Sequence, residues 1–173
     1  MTQQSRLLAA RELAALRLGQ PALGPMISRG QFDRIAEHVV EVSAACALLS
    51  TEEDRALAAA LHNEESGKEF AIALNALLHG KRSLEERFVH WIGMLSRHGL
   101  ATWPVATLWP FLLHPDRYFP VFPDWFSKIA VDGAVDLARP PDWAGYVASQ
   151  RLAHAARKNR GLDSLLDLWR SAP

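Results

Sequence analysis

The sequence predicts an all-α protein, a single compact array of eight or nine helices, and three observations carry that expectation. Apolar residues recur at steps of three and four, the period of helices buried along one face. Capping boxes of the form Ser-x-x-Glu or Ser-x-x-Gln stand directly before such runs, at Ser28, Ser50 and Ser83. No segment sustains a two-residue alternation and no Asn-Gly pair marks a hairpin, so a sheet is not expected.

The first helix is expected from about Ser5 to Leu18, ending at Gly19 before the turn-rich QPALGP. A second starts at the Ser28/Gln31 box, with Phe32, Ile35, Val39, Val42, Cys46 and Leu49 on one stripe. Cys46, the only cysteine, reads there as a small core residue. Ser50/Glu53 opens a third helix through Leu61, where Glu52, Glu53 and Asp54 offset the positive helix end. The fourth covers about Glu64 to Leu78, with Phe70, Leu74 and Leu77 inward and Glu64, Glu65 and Glu69 explained as charges near its start. Ser83/Glu86 caps a fifth, carrying Phe88, Trp91 and Leu95 until Gly99.

The chain then changes character. Residues 102–126 hold eight of the fifteen aromatics and five of the ten prolines, although they form a small part of the 173-residue chain. Prolines fix φ and stop helices, and aromatics bring large apolar area. A rigid, irregular, largely buried wedge is expected here, locking the two halves together. Pro104 suits the first turn of a sixth helix, which Pro110 should kink or cut short. His114-Pro115-Asp116 turns the chain, and a short helix follows around Asp124 to Val131. Pro140-Pro141-Asp142 begins a longer helix to Arg160, and Asp163 lies near the start of a last one reaching Trp169. The whole reads as one helical domain, 1–173, with a helical array over 1–100 and the wedge and last helices over 101–173.

Composition narrows the function. The chain is 49% hydrophobic and 22% charged, as in an ordinary soluble globule. Nineteen basic residues balance nineteen acidic ones, so no whole-protein field draws in nucleic acid or anionic membrane. The apolar run Leu100 to Leu113 is too short for a membrane span and holds two prolines. Residues 2–18, rich in Arg, Ala and Leu, faintly resemble a transit peptide but read equally well as an amphipathic helix. With a lone cysteine, a cytoplasmic location is the expectation.

Seven histidines are present, yet none forms H-E-x-x-H, and Glu86 with His90 is not accompanied by the carboxylates of a di-metal bundle. They are expected at surfaces or helix ends, with no metal and no cofactor. No nucleophile elbow or phosphate loop occurs, so no catalytic residue is assigned. His114-Pro115-Asp116 matches the tripeptide of J-domain co-chaperones, but the segment before it is apolar where theirs is basic. It reads as a turn in which Asp116 accepts backbone N–H groups. Late in the long helix, Arg151, His154, Arg157, Lys158 and Arg160 cluster. Basic residues suit a helix C-terminus, and the same face offers phosphate contacts to nucleic acid.

The run Trp103-Pro104-x-Ala106-Thr107-x-x-Pro110-Phe111-Leu112, followed by Pro115-Asp116-Arg117-Tyr118, Pro120-Val121 and Pro123, resembles an uncharacterised bacterial helical module. That module occurs alone or attached to restriction-type and AAA ATPase proteins, and its later Trp-x-x-Tyr is matched by Trp143 and Tyr146. The resemblance covers about residues 100–160. It implies a recognition or assembly part in a bacterial defence or nucleic-acid-handling setting. The function expected is a non-catalytic recognition or adaptor protein with another protein as partner. Its interaction candidates are Trp109, His114, Asp116, Arg117, Tyr118 and Trp125, since Trp, Tyr and Arg favour interface anchors. Nucleic-acid binding by the 151–160 helix is one alternative. A small-ligand or enzyme site around 114–125, using His114, Asp116, Arg117 and Asp124, is another. Oligomeric state is not readable from the sequence.

Overall fold

The computed structural model describes residues 2–129 and 136–171, and of residues 127–129 it describes the backbone only. Ten helices and no strand occur among them: the fold is all-α. The chain divides into two compact units, Met1–Leu100 and Ala101–Pro173.

The first unit holds α1 (Gln3–Leu18), α2 (Gln20–Ser28), α3 (Phe32–Cys46), α4 (Thr51–His62), α5 (Glu64–His79) and α6 (Leu84–Arg97). Helix α3 is central, packing on α1, α2, α4 and α5, while α6 lies on α5. The expected stripe is its buried face: Ile35, Val39 and Val42 are wholly inaccessible to solvent. Phe70 of α5 meets Trp91 of α6 edge-on at 5.0 Å between ring centroids. Such a pair adds about 0.5–1.5 kcal/mol beyond its buried area. The boxes at Ser50 and Ser83 both close, each hydroxyl accepting from the N3 amide while the N3 glutamate accepts from the cap amide. Asp54 does more than offset a helix end, because its carboxylate accepts the Ser43 hydroxyl at 2.6 Å and ties α4 to α3.

The Ser28 box does not form, and an additional helix takes its place. Residues Gln20–Ser28 are helical, with Pro21 in the first turn, where its missing N–H costs nothing. Leu23 and Met26 are buried and anchor this helix. The Ser28 hydroxyl donates back to the Gly24 carbonyl, and α3 starts after Gln31 without a side-chain cap.

The second unit is built around α7 (Trp103–Leu113), followed by α8 (Pro123–Ile129), α9 (Trp143–Asn159) and α10 (Leu165–Arg170). Nine of the eleven α7 residues are buried, so this helix is apolar all round and forms the centre of its unit. Pro110 lies inside α7 and the helix runs on to Leu113, so it is not cut short there. Residues 119–121 pass beside α7 as buried chain that is neither helix nor strand, and their backbone finds side-chain partners. The Thr107 hydroxyl donates to the Trp103 carbonyl at 2.8 Å and accepts from the Val121 amide at 2.7 Å.

The expected short helix is described over Pro123–Ile129, and its last predicted positions, 130 and 131, lie outside the described residues. Asp142 caps α9 through the Gly145 amide. Ser164 caps α10, with Asp167 completing a capping box, and Asp163 lies just before the cap as expected.

Candidate functional site

An open groove of about 720 Å³ lies on the first unit, where α4 turns into α5 beside the end of α6. Asn63 creates it, ending α4 and capping α5 by accepting from the Glu65 and Ser66 amides, each at 3.1 Å. So sharp a reversal brings backbones together: a Cβ on Gly67 would stand 2.9 Å from the Leu61 carbonyl oxygen, and glycine avoids that clash. The Ser66 hydroxyl, buried in the same corner, donates to the Ala60 carbonyl and holds the two helices in register.

Ala56, Ala59 and Ala60 of α4 give the groove a small apolar wall. The opposite wall is charged. One Glu69 oxygen receives His98 Nε2 at 2.9 Å and the Arg97 guanidinium at 3.2 Å, joining α5 to the end of α6. The His98 hydrogen bond, then that of Arg97, holds the Glu69 carboxyl below its ordinary range. All three side chains keep contact with solvent, at 40% exposure for Glu69, 57% for Arg97 and 24% for His98. The arrangement therefore offers an acceptor and donors to an incoming group from a preset geometry. Its sequence signal was incomplete: the start-of-helix explanation covered Glu69, and nothing local linked it to Arg97 and His98 almost thirty residues later.

The aromatic candidates lie elsewhere. Trp109 is 1% exposed and Trp125 9% exposed, so both are core side chains of the second unit. Trp125 stacks on Trp169 of α10 with centroids 5.7 Å apart and planes at 20°, while Phe119 lies 4.5 Å from the Trp125 centroid. The place of Trp169 in this cluster went unforeseen, because it follows the wedge by some forty residues.

Four candidates do gather at the surface of that unit. The Arg117 guanidinium lies 5.7 Å over the Tyr118 ring, and Tyr118 meets His114 edge-on at 6.2 Å. Asp116 is exposed in the intervening turn, but it does not close that turn. The Arg117 and Tyr118 amides both donate to the His114 carbonyl, each at 3.0 Å, correcting the expectation that the Asp116 side chain would accept.

The five basic candidates, four in α9 and Arg160 at its C-cap, divide. Arg151, His154 and Lys158 are exposed and share a face. Arg157 folds back to donate to the Asp163 carbonyl at 3.2 Å, and Arg160 reaches the Ser171 hydroxyl at 3.3 Å. Those two secure the junction of α9 with α10.

Six of the seven histidines lie at surfaces or helix ends; His38 does not. It sits in the middle of α3 and is only 9% exposed. Among the described residues, no three His, Cys, Asp or Glu side chains converge as metal ligands, and no helix is long and apolar enough to cross a membrane. No family model, curated protein or solved structure matches the chain.

Proposed function

We propose that this chain is a helical recognition or adaptor protein that engages another protein through the α4–α5–α6 groove. The Glu69–His98–Arg97 arrangement supports this reading most directly. Its charged groups are held by one another while remaining exposed, so little side-chain freedom is lost when a partner docks. An apolar wall of alanines facing them lets a partner backbone approach closely and bury area between charged borders. The setting implied by the resemblance of residues 100–160, a bacterial defence or nucleic-acid-handling assembly, is compatible with such a part.

The test is affinity capture from native lysate with and without nuclease, comparing the wild type with Ala59→Arg. Ala59 is exposed within the groove, so the bulky cation fills the concavity without entering the core. A nuclease-resistant partner at fixed ratio, lost with Ala59→Arg, supports the reading. A partner retained by the variant refutes the groove as its docking site.

Nucleic-acid binding by α9 is a second reading, favoured by the exposed common face of Arg151, His154 and Lys158. It requires affinity that falls steeply with salt and is lost in Arg151→Glu/Lys158→Glu. Binding unchanged by that double reversal would reject it.

A further inference from the structure

His38 is an ionisable group buried in a helix interface that leaves one of its ring nitrogens unserved. It lies on α3, the helix on which α1 chiefly packs, and only 9% of its surface is accessible. Its Nδ1 is buried and finds no hydrogen-bond partner among the described residues. The neutral ring tolerates this by carrying its proton on Nε2, which leaves Nδ1 a weak unfilled acceptor. The imidazolium must carry a proton on both nitrogens, placing a charged donor where no acceptor is described.

The surrounding charges oppose that second proton on balance. Those whose fields reach the ring are Arg17 from α1 and Arg34, Glu37 and Glu41 from α3 itself. Helices α2, α4 and α5, which also pack on α3, add none to that set. Burial is the strongest influence, and with Arg17 it holds the His38 imidazolium below its usual proton affinity. Arg17 is engaged by Glu41 at 3.3 Å, an ion pair that itself bridges α1 and α3.

Helix α1 is held to its unit by a small apolar face. Its buried side chains are two leucines and two alanines. It carries Arg6, Arg11 and Arg17 against Glu12, while α3 carries Asp33, Glu37 and Glu41 against Arg34. The two helices therefore attract electrostatically, and a proton on His38 reduces the negative excess of α3.

We propose that His38 is a proton-operated latch: neutral, it completes the α1–α3 interface; protonated, it releases α1 and uncovers Ile35, Val39 and Val42. The pH window follows from linkage. With proton affinity lower in the folded than in the unfolded chain, the stabilisation is complete above the ordinary histidine pKa of 6.5 and is lost as pH falls below it.

The experiment is amide hydrogen exchange on the full chain at pH 7.5 and 5.0, corrected for intrinsic exchange, with a parallel NMR titration of the His38 ring. In the wild type, α1 protection should be lost on acidification while α6 protection holds. In His38→Gln, whose side chain does not titrate, the acid-dependent loss should disappear. PH-independent protection of α1, an equal loss in His38→Gln, or a uniform loss across α1 and α6 would overturn the latch. Should the variant not fold, the titration decides: a ring pKa at or above 6.5 in the wild type overturns it, and a lower value coincident with α1 release upholds it.

Discussion

The Gln150 side-chain amide pairs with the Phe119 backbone in both directions: Oε1 accepts from the Phe119 amide at 2.8 Å, and Nε2 donates to the Phe119 carbonyl at 2.8 Å. Phe119 belongs to a segment that is neither helix nor strand, and its side chain is fully buried. An irregular chain cannot enter a core unless its backbone polar groups find partners. Gln150 lends the segment one rung of a ladder from the side of α9, and Thr107 serves Val121 in the same way from α7.

Replacing Gln150 with Leu should therefore cost about 2–4 kcal/mol, because two backbone groups lose their partners while the apolar volume is nearly kept. Gln150→Glu should be destabilising as well, since a carboxylate cannot donate to the Phe119 carbonyl. Five of the six tryptophans lie in the second unit, so urea unfolding followed by tryptophan fluorescence reads this loss. A Leu variant within about 0.5 kcal/mol of wild type would show that the paired amide contributes nothing net.

Gly145 is held by a neighbour that cannot yield. A Cβ there would lie 2.9 Å from Trp103 Cη2 and 3.1 Å from Cζ2. That indole is itself fixed, its Nε1 donating to the Arg139 carbonyl at 2.9 Å. Gly145→Ala should destabilise the second unit by about 1–3 kcal/mol despite the better helix propensity of alanine. Gly93, in the middle of α6, has open space where a Cβ would go. Gly93→Ala should instead stabilise its helix by up to about 1 kcal/mol. Thermal melts of the two variants should therefore shift in opposite directions, and shifts of the same sign would contradict the packing assigned to Gly145.

Local chemistry was legible in the sequence, and relationships across the fold were not. Ser50 with Glu53 and Ser83 with Glu86 interact over three residues, and both boxes close. Ser28 failed as a cap because QPALGP, read as a turn from its prolines and glycine, is helical once Leu23 and Met26 have a core to enter. The density of aromatics in 102–126 foretold a buried wedge, but density says nothing about which distant residues complete it. Gln150, Trp169 and Arg139 are separated from their partners by thirty residues or more. The groove was hidden for the same reason, since Glu69 has a sufficient local explanation until His98 is folded against it. His38 stands three residues after Ile35 and four before Val42, at the spacing of the apolar stripe of α3, and it is buried with that face.

Cys46 should serve as a reporter for the first unit. It is 1% exposed, its Sγ donates to the Ser43 carbonyl at 3.1 Å, and burial pushes the thiol up to about 11. Only the thiolate reacts, so the native thiol should resist a disulfide reagent at pH 8. Labelling should then proceed at the rate at which the first unit opens, accelerating with urea in step with loss of helix. Rapid stoichiometric labelling without denaturant would place Cys46 at a surface and contradict the packing of α3.

Glu69 gives the acid limb of stability its sign. His98 and Arg97 hold its carboxyl below the ordinary value of 4.5, so the folded chain binds this proton more weakly than the unfolded chain. The pairing therefore stabilises the fold fully above about pH 4.5, and the contribution fades as pH falls through the depressed folded value. This window opens at lower pH than that of His38, near 4.5 against 6.5, so the Glu69 contribution should begin to fade after that of His38 on acidification. Glu69→Gln removes the titrating group while leaving an acceptor for His98, and it should flatten the loss of stability below about pH 4.5. High salt should weaken the same contribution, because all three partners keep contact with solvent and are screened. A pH-stability profile of Glu69→Gln parallel to the wild type below pH 4.5 would show that the carboxylate is not held by its neighbours in solution, and that the charged wall of the groove is not preset.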